Sequence, residues 1–387
     1  MIYLDYNAST PMAEEVREAM TLAWGQYGNP SGNHSLSRTA ESQLENARER
    51  IASSLSVNPQ EVILTSGSTE ALTIALWGQI LSAPANRSKV LISSIEHEAV
   101  LATARIACKV ANKDLVIVPV NRTSDSSDYG RVDLDFISFH IGADVALIAV
   151  MAVNNETGII QPIEKVAELA SAFNVPFLCD STQAVGKQEN FSMHKIPAIF
   201  TVSGHKIYGP KGSGAMIISR ESQKNLVPIM PGGGQERGIR GGTSNLASAI
   251  GLATALQFAL KDLKIEISRQ ETLKARFLSA LTKRFPESMS SNSGLPENCL
   301  KNTLNLRFHG ALSDAVLASF SKVAASRASA CSAGMEEPSH VLLAMGLKSR
   351  EAEESMRFSL GRFTTQTEID VAIEDVSVAV TRVREFN

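Results

Sequence analysis

The stretch Ser203-Gly204-His205-Lys206 follows an apolar run, Ile199-Phe200-Thr201-Val202, and so puts a lysine in a small polar turn at the end of a strand. A lysine in that position can hold an aldehyde cofactor as a Schiff base and, once displaced, move a proton. Far downstream, Cys331 lies within Ala328-Ser329-Ala330-Cys331-Ser332-Ala333-Gly334. Small polar neighbours on both sides suit an exposed thiolate on a moving arm better than a packed core. Cys108, Cys179 and Cys299 read instead as buried core fillers. An electron sink and a nucleophilic sulfur in one chain point to the removal of sulfur from an amino acid.

Other polar residues fall at the ends of apolar runs, each with two readings. In Ser66-Gly67-Ser68-Thr69-Glu70, the hydroxyls of Ser68 and Thr69 and the backbone N–H groups either bind a phosphate dianion or simply cap a helix. Asp180 either meets a pyridinium N–H through a charge-assisted hydrogen bond or serves as an N-cap. Gln183 either donates to a phenolate oxygen or completes a capping box, and His97 either stacks on a cofactor ring or opens a helix at the surface. His205 is a phosphate ligand or an exposed neighbour of Lys206. Asn154 and Asn155 bind a cofactor oxygen or a substrate carboxylate, or else form a turn. The glycine-rich segment 231–243 carries Arg237, Arg240 and Thr243, which can meet an anion, or it is an interdomain linker. Arg357, on a strand, suits a bidentate grip on an α-carboxylate or a structural salt bridge.

These positions need a scaffold. Short apolar runs at 61–65, 89–93, 115–120, 145–150, 175–179, 199–202 and 215–219 alternate with helix-period segments at 70–81, 98–111 and 163–173. Continuous Val/Ile/Leu runs separated by helices predict a sheet that is mostly parallel and covered on both faces, with ligands at the carboxyl ends of its strands. That rule gathers residues 66–70, 97, 154–156, 180–183 and 203–206 at one edge. A long helical stretch at about 244–285 follows, then a polar loop at 287–298. Strands at 303–308 and 357–360 with helices at 313–320, 338–345 and 367–385 predict a smaller α+β domain. The polar segment 121–130 reads as a solvated loop with no chemical role.

A chain of 387 residues with 44% hydrophobic and 20% charged residues is an ordinary globular protein, long enough for two domains. A net charge of −3 gives no electrostatic case for direct nucleic-acid binding. Four cysteines spread without a CxxC pair exclude a zinc knuckle or thioredoxin-type site. No run approaches the roughly 18 apolar residues of a membrane span, and no secretory signal opens the chain, so a cytoplasmic location is expected.

The segments 203–212, 232–243, 329–332 and 357–364, together with Tyr3-Leu4-Asp5-Tyr6-Asn7, resemble the cysteine desulfurases of the NifS/IscS type, within the class V aminotransferase group. The resemblance covers nearly the whole chain. It implies an α/β, PLP-dependent transferase fold (aspartate aminotransferase-like), with a seven-stranded, mostly parallel sheet in residues 14–258 and a smaller α+β domain of residues 1–13 and 259–387. It implies pyridoxal 5'-phosphate as cofactor, L-cysteine as substrate, a homodimer and a sulfur-acceptor protein. Residue by residue, Lys206 would carry the cofactor, Asp180 pair with its ring nitrogen, His97 stack on the ring and Gln183 contact its 3-hydroxyl. Asn155 would lie beside ring and substrate. Ser68, Thr69, Ser203 and His205 would cradle the phosphate, joined by Thr243 from the neighbouring subunit. Arg357 would hold the substrate carboxylate, and Cys331, on an extended loop, would accept the sulfur.

The resemblance has departures. Ser181 stands after Asp180 where the family commonly has Ala or Gly, a change the cofactor contacts should survive. The chain ends at Asn387 without the longer tail by which housekeeping members grip an iron–sulfur scaffold. Iron–sulfur cluster assembly, nitrogenase maturation, tRNA thiolation and DNA phosphorothioation stay open as destinations for the sulfur. The rival readings are a selenocysteine lyase or another class V aminotransferase, and a binding module that keeps only the fold.

Overall fold

The computed structural model describes residues 1–124, 126–327 and 337–386. Its centre is a seven-stranded sheet ordered Val62–Thr65, Gly214–Ile217, Ile199–Ser203, Phe177–Cys179, Val145–Ala149, Lys89–Ser93 and Asp114–Val118. All neighbours run parallel except Gly214–Ile217, which is antiparallel to both of its partners. Each expected strand is present, with ends shifted by at most two residues.

Alternation along the strands explains why the runs are apolar throughout. Leu91 and Ile148 enter one hydrophobic cluster, while Val90, Ile92, Leu147 and Ala149 enter another on the opposite face. Helices Ser68–Ser82 and Glu98–Ala111 cover the second face, and Ser35–Leu55 and Leu246–Leu260 pack on the first. Glu98–Ala111 starts at a His97 cap and ends at Asn112 in the left-handed region, the bounds its periodicity predicts.

The expected single helix at 244–285 is two, Leu246–Leu260 and Leu263–Arg284, bent by 67°. Asp262, with φ of 52°, breaks the path, a local conformation that apolar periodicity does not report. Among the described residues no single helix is long and apolar enough to cross a membrane.

A second sheet is ordered Ser326–Arg327, Ser355–Ser359, Thr303–Phe308 and Met289–Ser291, all antiparallel. Met289–Ser291 lies in the segment expected to be loop; it is short and polar and pairs as an edge. Ile2–Tyr3 runs parallel to Val323–Ala324, and Asp5 bridges Ser359. Ile2 and Leu4 share a third hydrophobic cluster with residues from Leu273 to Val383, whereas Tyr6 and Ala13 belong to the large sheet's cluster. The N-terminal segment therefore stitches the two sheets together.

Candidate active site

A cavity of about 540 Å³ opens where the parallel strands end. It is lined by Ser68, Thr69, His97, Asn155, Asp180, Gln183, Ser203, His205, Lys206 and Arg357, ten of the twelve residues to which the family resemblance gives a role. Thr243 does not line it and is exposed. Cys331 lies outside the described residues.

The lysine turn is held from both sides. Gly204 N–H donates to Ser213 O, and a Cβ on Gly204 would fall 2.2 Å from the Ser213 hydroxyl, so the approach needs glycine. Tyr208 takes φ of 68°, fixed by a hydrogen bond from its N–H to the Thr10 hydroxyl and by ring contacts with Tyr6, Phe258 and Phe363. Lys206 Nζ donates to Asn7 O and Ala8 O, each at 2.8 Å. Those two carbonyls aim the amine.

Asp180 is buried at the end of Phe177–Cys179. Oδ1 accepts from Thr182 N–H at 3.0 Å and from the Thr201 hydroxyl at 3.1 Å. The contact with Thr182 is the Asx turn of the capping reading, made by a carboxylate that also lines the cavity. On the opposite rim, Gly67, at a positive φ of 153° that favours glycine, leads into the helix Ser68–Ser82. The strand Gly214–Ile217 passes so close that a Cβ on Gly214 would sit 2.5 Å from Gly67 Cα. Ser68 Oγ accepts from the Thr182 hydroxyl at 2.6 Å. This helix N-terminus, with hydroxyls and backbone N–H groups facing the cavity, favours an anion.

Cations dominate the surroundings. Lys206, Lys211 and Arg357 line the cavity, and Lys187 turns its ammonium inward to Gln183 Oε1. Burial, with the charges of Lys206 and Arg357, holds Lys187 well below the ordinary lysine value. His205 is lowered to about 4 by burial and by Lys206, Lys187 and Lys211, so its imidazole is neutral at pH 7. Burial raises Glu70, but hydrogen bonds from Arg240 and Ser66 outweigh that and leave its carboxyl below the ordinary value.

Several sequence readings resolve toward structure. Arg240 pairs with Glu70 at 2.6 Å, and Arg237 donates to Val62 O and Pro59 O, so neither arginine faces an anion. They anchor the glycine-rich segment, as does the buried pair Glu236–Arg48 at 2.8 Å. Asn154 is a turn residue: its Oδ1 accepts from the N–H groups of Glu156 and Thr157. His97 caps Glu98–Ala111 through Nδ1 while lining the cavity. Gln183 Nε2 donates to Asn7 O at 2.9 Å. Arg357 makes the structural salt bridge, pairing with Asp5 at 2.6 Å, and also lines the cavity.

Asn7 is the residue the sequence reading left without a role. It is buried, its O takes the Lys206 and Gln183 donors, and Nδ2 donates to Asn155 O and the Thr303 hydroxyl. Its partners lie more than 140 residues away, so no local pattern marks it. The signal that touches it is its place in Tyr3-Leu4-Asp5-Tyr6-Asn7, one of the segments that carry the family resemblance.

A lysine, a carboxylate and a helix N-terminus converging on one cavity can be compared with known proteins. The family model described as aminotransferase class-V matches residues 2–371. The chain belongs to the class-V aminotransferase family. A protein of Frankia sp. (strain EuIK1) named cysteine desulfurase is 40% identical over 390 residues, covering 100% of this chain and 93% of that one. A solved NifS-like protein superposes with a TM-score of 0.89 at 30% identity, covering 98% of this chain and 99% of the other. The structure described as SspA in complex with cysteine gives a TM-score of 0.79 at 31% identity, over 94% and 100% of the two chains. This class-V chain has the PLP-dependent transferase fold, with the large mostly parallel sheet expected, and the family depends on pyridoxal 5'-phosphate.

Proposed function

We infer that this class-V enzyme is a cysteine desulfurase, which takes sulfur from L-cysteine and releases L-alanine. The observation that carries the reading is the single cavity that joins Lys206 and Asp180 to the helix N-terminus at Ser68 and to Arg357. Full-length relatives named cysteine desulfurase support it.

The donor set suits pyridoxal 5'-phosphate. Lys206 offers an aimed amine, and Asp180 a carboxylate whose protein hydrogen bonds, among the described residues, gather on Oδ1. Ser68, Thr69 and Ser203 offer hydroxyls, and His205 a neutral ring N–H, for a phosphate. His97 and Asn155 would flank the ring, and Gln183 would face its 3-hydroxyl. When bound, the cofactor supplies an electron sink that acidifies Cα of the amino acid and weakens its C–S bond.

The chain's own residues then have distinct tasks. Arg357 binds the substrate carboxylate, and Lys206 takes the Cα proton. Cys331 accepts the sulfur as a persulfide, an S–S bond forming as the substrate C–S bond breaks. Burial pushes Cys108 and Cys299 up to about 11 and Cys179 well above the ordinary thiol value, which makes all three poor nucleophiles. Cys331 is the fourth cysteine of the chain. In this reading residues 14–258 carry the cofactor, and residues 1–13 with 259–387 carry the acceptor cysteine. The protein works in the cytoplasm as a homodimer in which Thr243 reaches the neighbour's phosphate, and it hands its sulfur to an acceptor protein.

The test is to supply L-cysteine and dithiothreitol and measure alanine, sulfide and keto acid. Alanine and sulfide in equal amounts support the reading, and keto acid in place of alanine refutes it. Lys206→Ala should lose the visible absorption of the loaded enzyme. Cys331→Ser should keep that absorption yet make no alanine; full alanine output would remove Cys331 from its role.

A further inference from the structure

We propose that Asp5 is a positioning residue for Arg357: it fixes the guanidinium against the cavity and ties the same grip to Ser326. The proposal rests on the reading that Arg357 holds the substrate carboxylate. Strand pairing on two sides brings the three residues together. Ser326 and Arg357 are register partners across antiparallel strands, and the N-terminal segment lies beside both, with Ile2 opposite Val323 and Asp5 opposite Ser359. Asp5 Oδ1 accepts from Arg357 Nη2 at 2.6 Å, and Oδ2 accepts from the Ser326 hydroxyl at 2.6 Å. Both oxygens of one carboxylate are therefore committed, one to the arginine and one to the strand that leads toward residue 331.

Arg357 is 1% exposed, and Asp5 is its ion-pair partner among the described residues. Its Nη1 donates to Asn155 O at 3.1 Å. Its Nε is buried and has no hydrogen-bond partner among the described residues. A guanidinium has five N–H donors in a rigid fork, and a buried donor without a partner is costly, so Nε marks where a ligand oxygen belongs. Asp5 and Asn155 hold the two terminal nitrogens and leave that edge to an α-carboxylate, which binds such a fork through two oxygens. Asp5 also supplies the counter-charge that lets the cation persist in the interior before substrate arrives.

The titratable and charged groups facing Arg357 come from every element around it. Asp5 and Tyr3 are on the N-terminal segment, Glu156 is beside Asn155, and Lys187 contacts the Asn7 side chain. Only Asp5 among them pairs with it directly. Asp5→Asn retains the shape of the side chain and a carbonyl acceptor for Arg357, but removes the charge.

The experiment titrates the visible absorption of the cofactor-loaded enzyme with L-alanine and with L-alanine methyl ester, alongside KM and kcat for L-cysteine and a thermal melt. Asp5→Asn is expected to weaken L-alanine by about tenfold or more, as for loss of a charge-assisted contact, and to leave the ester within about twofold. KM should rise more than kcat falls. In an Arg357→Gln background the same change should add nothing for L-alanine. Unchanged L-alanine affinity in Asp5→Asn, with a loss in Arg357→Gln, overturns the proposal alone. No loss in Arg357→Gln overturns the reading of Arg357 beneath it. Should Asp5→Asn fail to fold, Asp5→Glu carries the test: a loss confined to the carboxylate ligand supports the proposal, and equal losses for both ligands or none overturn it.

Discussion

Glu156→Gln gives a sharp test of the electrostatics around the cavity. Glu156 follows Asn155, is 3% exposed, and accepts a hydrogen bond from the Ser339 hydroxyl. Burial lifts its carboxyl from 4.5 to about 7, an increase only partly offset by Ser339 and by the charges of Arg357 and His97. A carboxyl raised on folding takes up a proton between those two values, so stability falls as pH climbs through that window. At about 1.4 kcal/mol per pH unit, a rise from 4.5 to about 7 amounts to about 3 kcal/mol. Glutamine keeps the shape and cannot ionise. Chemical denaturation of the loaded enzyme should therefore find wild type and variant alike near pH 4.5, and the variant ahead by about 2–3 kcal/mol above pH 7. Glu96, raised to about 8 by burial, titrates in both proteins and cancels in the difference. A difference in stability that does not change with pH would refute the reasoning.

Two further outcomes test how the glycine-rich segment is held and what it offers. Glu236→Ala leaves Arg48 buried without its carboxylate and removes the acceptor of Leu64 N–H, so it should destabilise by about 3–5 kcal/mol in a denaturant titration; a loss under about 1 kcal/mol would show the pair to be idle. Thr243→Ala should weaken pyridoxal phosphate binding to the apoenzyme by about tenfold. Mixed dimers of Thr243→Ala and Lys206→Ala subunits should regain one normal site, and a mixture that regains none would place Thr243 in its own subunit's site.

What was legible in the sequence divides by distance along the chain. The seven strands and the helices at 70–81 and 98–111 are written in local apolar runs, because a strand buried on both faces needs no polar alternation. The cavity follows from the same runs, since Asp180 directly follows a strand, Ser203 ends one and His97 stands four residues beyond one. Helices Glu14–Trp24 and Ser35–Leu55 were not read: the second has a polar outer face, and both precede the regular strand–helix alternation. The break at Asp262 was missed because a left-handed residue other than glycine has no compositional sign. Arg240 was read toward an anion because its partner Glu70 lies 170 residues away. Glycine density told of backbone freedom in that segment and could not tell which of its charges were already satisfied.

Two residues that tie the proposed site together, Asn7 and Asp5, have their partners far away in sequence. Asn7 joins Lys206 and Gln183, from the large sheet, to Thr303 and Ser359 of the small one, through hydrogen bonds of 2.8–2.9 Å. Two residues earlier, Asp5 joins Arg357 to Ser326 within the small sheet. A segment of three residues thus holds both the Lys206 amine proposed to carry the cofactor and the guanidinium proposed to bind the substrate. Movement of one sheet against the other would act on the Lys206–Asn7 contact and on the Arg357–Asp5 contact together, because their anchor residues are two apart in the chain. The Lys206 amine and the Arg357 guanidinium are therefore both referred to one short N-terminal segment through hydrogen bonds. That shared anchor suits a site in which misplacing a reacting group by about 1 Å costs roughly a hundredfold in rate.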